Sequence, residues 1–438
     1  DAAVTYRLSP PASARASRPA SRAAPRRIEA QSPAPVALWH PDTVRRVQVT
    51  AEQADLTWGL HEVRLGGPNV AEVPRGTALQ AVAQVGDRLR LQLADDLVAY
   101  GPVAAFEPLP PGLAPRRPVV TTASVEGGPE GDVIAIPWPA PWPYAVRAVM
   151  PVEGDPRLGP VALEVELFGT HPAATWITHR SSRQLVRELN VQPSGASRVV
   201  FRAVLGGPPL WGWQVERTPQ ALRIRLRPPP PSAATEAPLR GLTVAVEAGH
   251  GGPENLGAVG ATRVPEKDIN RWTADLLMAE LQAAGARVVD IRVGDEALTL
   301  GERAARVTAS GADVFISIHA NAVDPAGGYL RGAGTGMFVK HASSQPLAEA
   351  LQQRMLQATG LPDLGVIGNF NYAPIRRVTA MPSVLVELAY LSNPVEEALL
   401  LDPAVRQRMV RALRDGLEDH LRQLPQPARQ LPHRRPGP

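Results

Sequence analysis

The chain has 438 residues, of which 44% are hydrophobic, so two or three domains with buried cores are expected. It contains no cysteine, which excludes disulfide bonds and thiolate ligands and leaves histidine and acidic side chains for any metal. The net charge is only +4, basic residues are not interleaved with aromatics, and no apolar run reaches the ~18 residues of a membrane helix. We therefore expect neither a nucleic-acid partner nor a membrane span.

The first 110 residues are predicted to be a flexible segment followed by a small β module. Residues 1–37 are rich in Pro, Ala, Ser and Arg, a composition that buries too little apolar area to fold. Because the chain begins with Asp1, we expect either a removed export signal or a cloning boundary before it. Residues 38–110 alternate apolar and polar side chains between turns. Their stretch VPRGTALQAVAQVGDRLRLQLAD resembles the middle of bacterial SH3-like domains.

A second β-rich module is predicted for residues 118–228. Its runs of alternating side chains include DVIAIPW, ALEVELFG and ALRIRLR, and turn residues separate them. By its architecture this module resembles AMIN-type localisation domains, and a β-sandwich of unknown role is the alternative. Residues 229–238, PPPSAATEAP, are predicted to be a proline-rich linker to the next region.

The sequence pattern differs in residues 239–423, where short apolar segments typical of strands alternate with longer amphipathic segments. In the first predicted helix, five side chains are expected on one buried face: Ile269, Trp272, Leu276, Leu277 and Leu281. The alternation indicates a C-terminal α/β domain with a mostly parallel twisted sheet flanked by helices, preceded by the small all-β modules. Residues 424–438 are predicted to be a disordered basic tail.

Four metal-competent side chains lie at predicted strand ends or helix starts of this α/β region. His250 and His319 each follow a strand, Glu387 closes another, and Glu266 begins the first helix. Because ligands of open α/β sheets bind beyond the carboxyl ends of the strands, we expect the four to meet at one rim. Two imidazoles and a carboxylate can hold a divalent metal with one position open, and a second carboxylate can activate water there. Each residue alone has an ordinary structural alternative; the joint pattern favours a metallohydrolase.

Four phrases in the same region carry a family resemblance: GHGG, EKDIN, SIHAN and MPSVLVELAYLSNP, in that order. Together with the helices between them, they make residues 241–423 similar to zinc-dependent N-acetylmuramoyl-L-alanine amidases of the amidase-3 type. Carried over by position, the resemblance implies that His250, Glu266 and His319 bind one Zn²⁺ per chain. It likewise implies that Glu387 is the catalytic carboxylate.

The resemblance implies a peptidoglycan hydrolase that cleaves the amide between N-acetylmuramic acid and L-alanine with zinc-activated water. It also implies peptidoglycan as the partner and an exported enzyme in the periplasm, the cell envelope or the extracellular space; no regulatory partner is identified. Two alternatives stay open, a zinc peptidase that acts on the stem peptide and a non-catalytic protein that binds the cell wall. The chain departs from the family before the GHGG turn, where Glu247-Ala248 stands in place of the usual Asp-Pro.

Two residues near the four are further candidates for the site. Arg376, which precedes the last predicted strand, is a candidate for binding a substrate carboxylate or the oxyanion, with a surface arginine as the alternative. Asn321, two residues after His319, is a candidate for orienting a ligand or the substrate. His341 and His420 stand in no comparable context, and we expect both at the surface.

Overall fold

The structure, a computed structural model, describes residues 36–38, 45–60, 69–109, 119–153, 159–231, 236–323 and 329–424. Three predicted segments lie mostly or partly outside these ranges: the flexible segment 1–37, the linker 229–238 and the tail 424–438. The predicted domain boundaries stay predictions. Among the helices in these ranges, none combines the length and the apolar character needed to span a membrane.

The described chain before residue 230, here called the β region, is built from β-strands. They are β1 (Val36–Leu38), β2 (Arg45–Val49), β3 (Gln53–Thr57), β4 (Asn69–Pro74), β5 (Ala78–Val85), β6 (Arg88–Ala94), β7 (Leu97–Pro102), β8 (Phe106–Pro108), β9 (Val119–Gly128), β10 (Gly131–Pro137), β11 (Tyr144–Val149), β12 (Ala162–Phe168), β13 (His171–His179), β14 (Val186–Pro193), β15 (Arg198–Leu205), β16 (Gly212–Arg217) and β17 (Ala221–Arg227). Alternation of buried and half-buried positions in β6 and β17 gives each strand one core face, as antiparallel sheets require.

The strands of the β region form two sheets with two apolar cores. The larger sheet runs β14-β15-β12-β11-β4-β3-β7-β6-β5-β2-β8, with β1 on β5, and the smaller runs β13-β9-β10-β17-β16. One core lies within β2 to β8, and the other fills the space around Ile134, Phe201 and Trp213. Tyr144 of β11 pairs with Glu72 of β4, so the regions of both predicted modules contribute to one continuous sheet.

The α/β region follows, and it confirms the predicted mostly parallel sheet behind a β-rich region. Its elements are β18 (Thr243–Ala248), α1 (Glu266–Ala283), β19 (Arg287–Asp290), α2 (Leu300–Ala309), β20 (Val314–Asn321), β21 (Thr335–Phe338), α3 (Gln345–Thr359), β22 (Asp363–Ile367), α4 (Ala373–Arg377), β23 (Ser383–Tyr390), α5 (Pro394–Leu401) and α6 (Pro403–Gln423). The sheet runs β19-β18-β20-β23-β21-β22, and β21 is antiparallel to β23 while the other described pairs are parallel.

The prediction for the buried face of α1 is wrong at one position. Ile269, Thr273, Leu277 and Leu281 form the buried stripe at intervals of four residues. Trp272 lies at the edge of that stripe and keeps 43% of its surface exposed, and the guanidinium of Arg406 lies 5.3 Å from its ring centroid. The wide indole is therefore covered by a cation from α6 and not by the core.

The expected surface positions of His341 and His420 are also wrong. His420 is 6% exposed and stacks on Trp211 at 5.6 Å between ring centroids. His341 is half-buried against Trp213 at 5.1 Å and donates from Nε2 to the carbonyl of Arg376 at 2.7 Å. Burial lowers the pKa of each imidazole to about 4. Both tryptophans come from the β region, so these contacts depend on pairs distant in sequence.

Candidate metal centre

The backbone brings three of the four candidate residues to the carboxyl rim of the α/β sheet. His250 lies two residues after β18, Glu266 is the first residue of α1, and His319 lies near the end of β20. The backbone at His250 is in the left-handed region, which is uncommon for a non-glycine residue, with φ +62°; the following Gly251 has φ +123°, which glycine adopts without strain. Non-glycine residues with left-handed backbone cluster at active sites and ligand-binding turns, so this conformation is consistent with a functional turn.

The side chains of these residues form one compact cluster. His250 Nε2 lies 3.1 Å from Glu266 Oε2, and His319 Nδ1 lies 3.0 Å from Glu266 Oε1. The possible ligand atoms of all three residues lie within 4.8 Å of one another, and the two imidazole centroids are 5.0 Å apart. The donor set is that of a three-ligand zinc site, which leaves a further position for water.

The electrostatics of the cluster favour a bound cation. Burial alone would raise the pKa of Glu266, but its contacts with His250 and His319 outweigh burial and hold that pKa well below the ordinary value. Burial alone would lower the pKa of His250, yet the adjacent Glu266 carboxylate raises it. His319 Nε2 is buried without a hydrogen-bond partner among the described residues. Such buried polar atoms are rare, and a metal site is one setting that accounts for them. These residues therefore fit a metal ion.

Residues around the cluster fix the orientation of its members. His250 Nδ1 lies 2.7 Å from Asn255 Oδ1, which accepts its hydrogen and leaves Nε2 directed at the cluster. Glu266 Oε2 accepts from the backbone N–H of Ala258 at 2.9 Å, and Oε1 accepts from Asn270 Nδ2 at 3.2 Å. The sequence analysis missed both asparagines. Asn270 was detectable, since it follows Glu266 by four residues on a helix and so shares its face.

A buried ion pair lies beneath the His250 turn. Arg303 Nη1 donates to Glu247 Oε1 at 2.7 Å, and Nη2 donates to the carbonyl oxygen of His250 at 2.5 Å. Ser317 Oγ donates to Glu247 Oε2 at 2.7 Å, and Glu247 and Arg303 are 0% and 1% exposed. Glu247, where the sequence departs from the usual family residue, therefore belongs to the ion pair that supports the His250 turn. It is not one of the candidate metal ligands.

The fourth candidate, Glu387, lies on the strand beside His319. The two residues are register partners on the parallel strands β20 and β23, and register partners present their side chains on the same face of a sheet. Tyr372, which the sequence analysis missed, packs its ring edge-to-face on His319 at 5.5 Å between centroids. Burial raises the pKa of Tyr372 well above its usual value, so this wall of the cluster is neutral.

The two remaining candidates have other partners within the described residues. Arg376 Nη2 donates to Asp55 Oδ2 at 3.0 Å, and the neighbouring Arg377 makes the same contact. Asn321 Oδ1 accepts from the backbone N–H of Ala322 at 2.8 Å. The roles suggested for Arg376 and Asn321 in substrate or ligand binding stay predictions.

A parallel α/β sheet with a His–Glu–His cluster and a neighbouring glutamate at its carboxyl rim defines the class of metallohydrolases. Residues 244–419 match the model of the family described as N-acetylmuramoyl-L-alanine amidase. Over 194 residues the chain is 33% identical to the uncharacterized protein YqiI of Bacillus subtilis. This match covers 43% of this chain and 90% of YqiI. The chain therefore belongs to the N-acetylmuramoyl-L-alanine amidase family, which confirms the predicted enzyme class.

Other relatives match over the same part of the chain. The N-acetylmuramoyl-L-alanine amidase LytC of Bacillus subtilis is 31% identical over 185 residues, or 42% of this chain and 36% of LytC. The probable cell wall amidase LytH of Staphylococcus aureus is 32% identical over 183 residues, or 41% of this chain and 59% of LytH. The chain thus spans about a third of the length of LytC and about three fifths of the length of LytH. Among solved structures, the catalytic domain of the amidase CwlV from Bacillus (Paenibacillus) polymyxa var. colistinus matches with 35% identity and a TM-score of 0.38, over 41% of this chain and 98% of that domain.

Proposed function

We propose that the chain hydrolyses the amide between the lactyl group of N-acetylmuramic acid and L-alanine in peptidoglycan, with one Zn²⁺ held by His250, Glu266 and His319. The observation that carries this proposal is the convergence of their ligand atoms within 4.8 Å in a chain of the amidase family. Bound Zn²⁺ supplies a lowered pKa for water and polarises a carbonyl oxygen.

The residues around the metal hold their positions before the substrate arrives. Asn255 keeps the hydrogen of His250 on Nδ1, and this leaves Nε2 as a lone-pair donor towards the metal. Two backbone N–H groups and Asn270 donate to the two oxygens of Glu266, and these bonds favour the orientation of the carboxylate towards the cluster. Site geometry fixed in this way avoids reorganisation during the reaction.

Glu387 is the proton carrier in this proposal. Its carboxylate accepts a proton at one Oε atom from the attacking water and delivers it to the amide nitrogen of L-alanine as that nitrogen leaves. Its register beside His319 supports the role, because both side chains then lie on the same face of the sheet. Glu387 is not among the clustered ligand residues, so the proposal assigns it proton transfer and not metal binding.

The β region contributes no second cluster of metal-competent residues among the described parts of the chain. We assign it to positioning the enzyme on the wall, which raises the effective concentration of the bond to be cleaved. Such a role fits action outside the cytoplasm, in the periplasm or cell envelope.

The bond that is cleaved decides between this function and its alternatives. Purified sacculi are digested with the zinc-loaded protein, and the newly exposed amino termini are identified. The proposal expects N-terminal L-alanine and glycan strands without peptides. Release of D-alanine or of amines within the stem peptide would instead establish a peptidase, and no release with tight binding would establish a wall-binding protein.

A further inference from the structure

A cavity of about 420 Å³ lies where the β region contacts the α/β region. β4 and β11 line one side, and the segment that follows β21 lines the other. Because β21 is antiparallel to β23, Gly336 lies opposite Glu387 and Phe338 lies opposite Leu385. The chain after Phe338 therefore runs towards the start of β23. The cavity, which contains Lys340, lies at the amino rim of the sheet and is distinct from the metal centre.

Lys340 brings a cation into this cavity without a matching anion. Its Nζ donates to Asn369 Oδ1 at 2.7 Å, and no described carboxylate forms an ion pair with it. The guanidinium of Arg376 lines the same cavity but is paired with Asp55 at 3.0 Å. Burial, followed by the charge of Arg376, lowers the pKa of Lys340 to about 8, so the ammonium form predominates at neutral pH.

The other titratable groups that line the cavity are already satisfied or uncharged. Glu72 accepts from the hydroxyl of Tyr144 at 3.1 Å, and burial raises its pKa. Arg147 is paired with two carboxylates of β12, and the pKa of His341 is held near 4 by burial, so its imidazole is neutral at pH 7. Lys340 is therefore the lining cation that forms no ion pair with a described carboxylate, whereas Arg147 and Arg376 each form one.

The other lining residues are suited to contact the organic part of a small anion. The residues of β4 and β11 on one side of the cavity include the apolar Val70, Ala71, Val146 and Ala148. Amide groups of Asn69, Gln345 and Asn369 supply neutral hydrogen-bond donors and acceptors. Asn369 has a left-handed backbone with φ +55°, and its side-chain oxygen accepts the hydrogen bond from Lys340. A cavity of a few hundred Å³ that is lined by both apolar and polar residues has the size of a small-molecule site.

We propose that this cavity binds a small organic anion, whose carboxylate or phosphate group contacts Lys340 and Asn369 and whose apolar part lies on β4 and β11. An anion there gives the ammonium of the half-buried Lys340 a charge-assisted hydrogen bond, which is stronger than a bond between neutral groups. The site goes beyond the amidase reaction, and it does not depend on that reaction.

Calorimetric titration of the full, zinc-loaded chain tests the site. Three probes separate the possible sources of the anion: inorganic phosphate, N-acetylmuramic acid as a sugar carboxylate, and D-alanyl-D-alanine as a peptide carboxylate. We expect at least one probe to bind, and Lys340→Met to weaken that binding about tenfold or more, as the loss of a charged hydrogen bond predicts. Binding at the metal centre is unaffected by Lys340→Met, so failure of the amidase proposal would leave this difference intact.

Two control variants test whether binding depends on the positive charge at position 340. Arg422→Gln removes one positive charge from the exposed end of α6 and should bind as the wild type does. Lys340→Arg keeps the charge and should retain binding that Lys340→Met loses. For the wild type, affinity should fall as pH rises above about 8, because the ammonium loses its proton. Absence of binding for all three probes at millimolar concentration, or equal binding by wild type and Lys340→Met, would overturn the proposal.

Discussion

The two rims of the α/β sheet differ in where their contacts come from. At the carboxyl rim, His250, Glu266 and His319 meet through contacts made within the α/β region. At the amino rim, the β region supplies the partners, since Trp211 Nε1 donates to the carbonyl of Asp313 at 2.7 Å and buries His420 beside it. A chemical site built inside one domain leaves a local sequence signal, whereas a rim covered by another domain leaves almost none.

Loss of the buried ion pair beneath the His250 turn is expected to have the largest effect on stability. Arg303→Met leaves the Glu247 carboxylate buried without its cation and should lower the free energy of unfolding by about 3–5 kcal/mol. Chemical denaturation measures this change. The double variant Glu247→Gln/Arg303→Met should recover much of the loss, since no uncompensated charge remains. Equal stability of the single variant and the wild type would mean that the ion pair does not support the turn.

The amino rim should respond to pH through His420. Burial lowers the folded pKa to about 4, so between about pH 6.5 and 4 the unfolded state binds a proton that the folded state does not. Stability contributed by this histidine is therefore complete above about pH 6.5 and is lost as pH falls, by up to about 3 kcal/mol. His420→Phe should flatten the wild-type decline in melting temperature between pH 7 and 4.5. An unchanged decline would contradict the burial described for this residue.

A smaller effect is expected at the carboxyl rim when the partner of His250 is removed. Asn255→Ala should weaken zinc binding about 10–100-fold, because the imidazole loses the group that fixes its tautomer and orientation. Competition with a zinc chelator measures the affinity. Asn69→Ala in β4 provides a matched amide deletion in the β region, outside the cluster. If both variants bind zinc equally well, Asn255 does not orient the ligand.

The smallest effect is expected at the contact of Asp55 with Arg376 and Arg377. Burial would raise the pKa of Asp55, but the two guanidinium groups outweigh it and lower that pKa. Asp55→Asn should reduce the free energy of unfolding by about 1 kcal/mol, as expected for a partly exposed pair, and zinc content should not change. A loss of zinc in this variant would show that the two rims are coupled, contrary to the comparison drawn above.

The α/β fold was predictable because its strands and helices alternate and each helix carries its own apolar stripe. In α1, for example, Ile269, Leu277 and Leu281 are buried as the sequence pattern predicts. The short elements β22, α4 and α5 were not predicted, since segments of five to eight residues carry too few periods of the pattern.

The candidate site was only partly predictable. The positions of His250, Glu266 and His319 at predicted strand ends and a helix start predicted that they lie together, and the described cluster contains all three. Asn255 and Tyr372 were missed because each reaches the cluster from a loop or a helix start whose path depends on tertiary packing. The burial of His341 and His420 was missed because their tryptophan partners lie in the β region, more than a hundred residues earlier in the chain.

The central claim is that three residues hold the metal while Glu387 moves the proton. The most direct test measures zinc content and amidase turnover together in Glu387→Gln and His319→Ala. The account predicts that Glu387→Gln keeps about one zinc per chain and loses about 10²–10⁴ in kcat, whereas His319→Ala loses both zinc and activity. Undiminished turnover by Glu387→Gln, or full zinc content in His319→Ala, would contradict it.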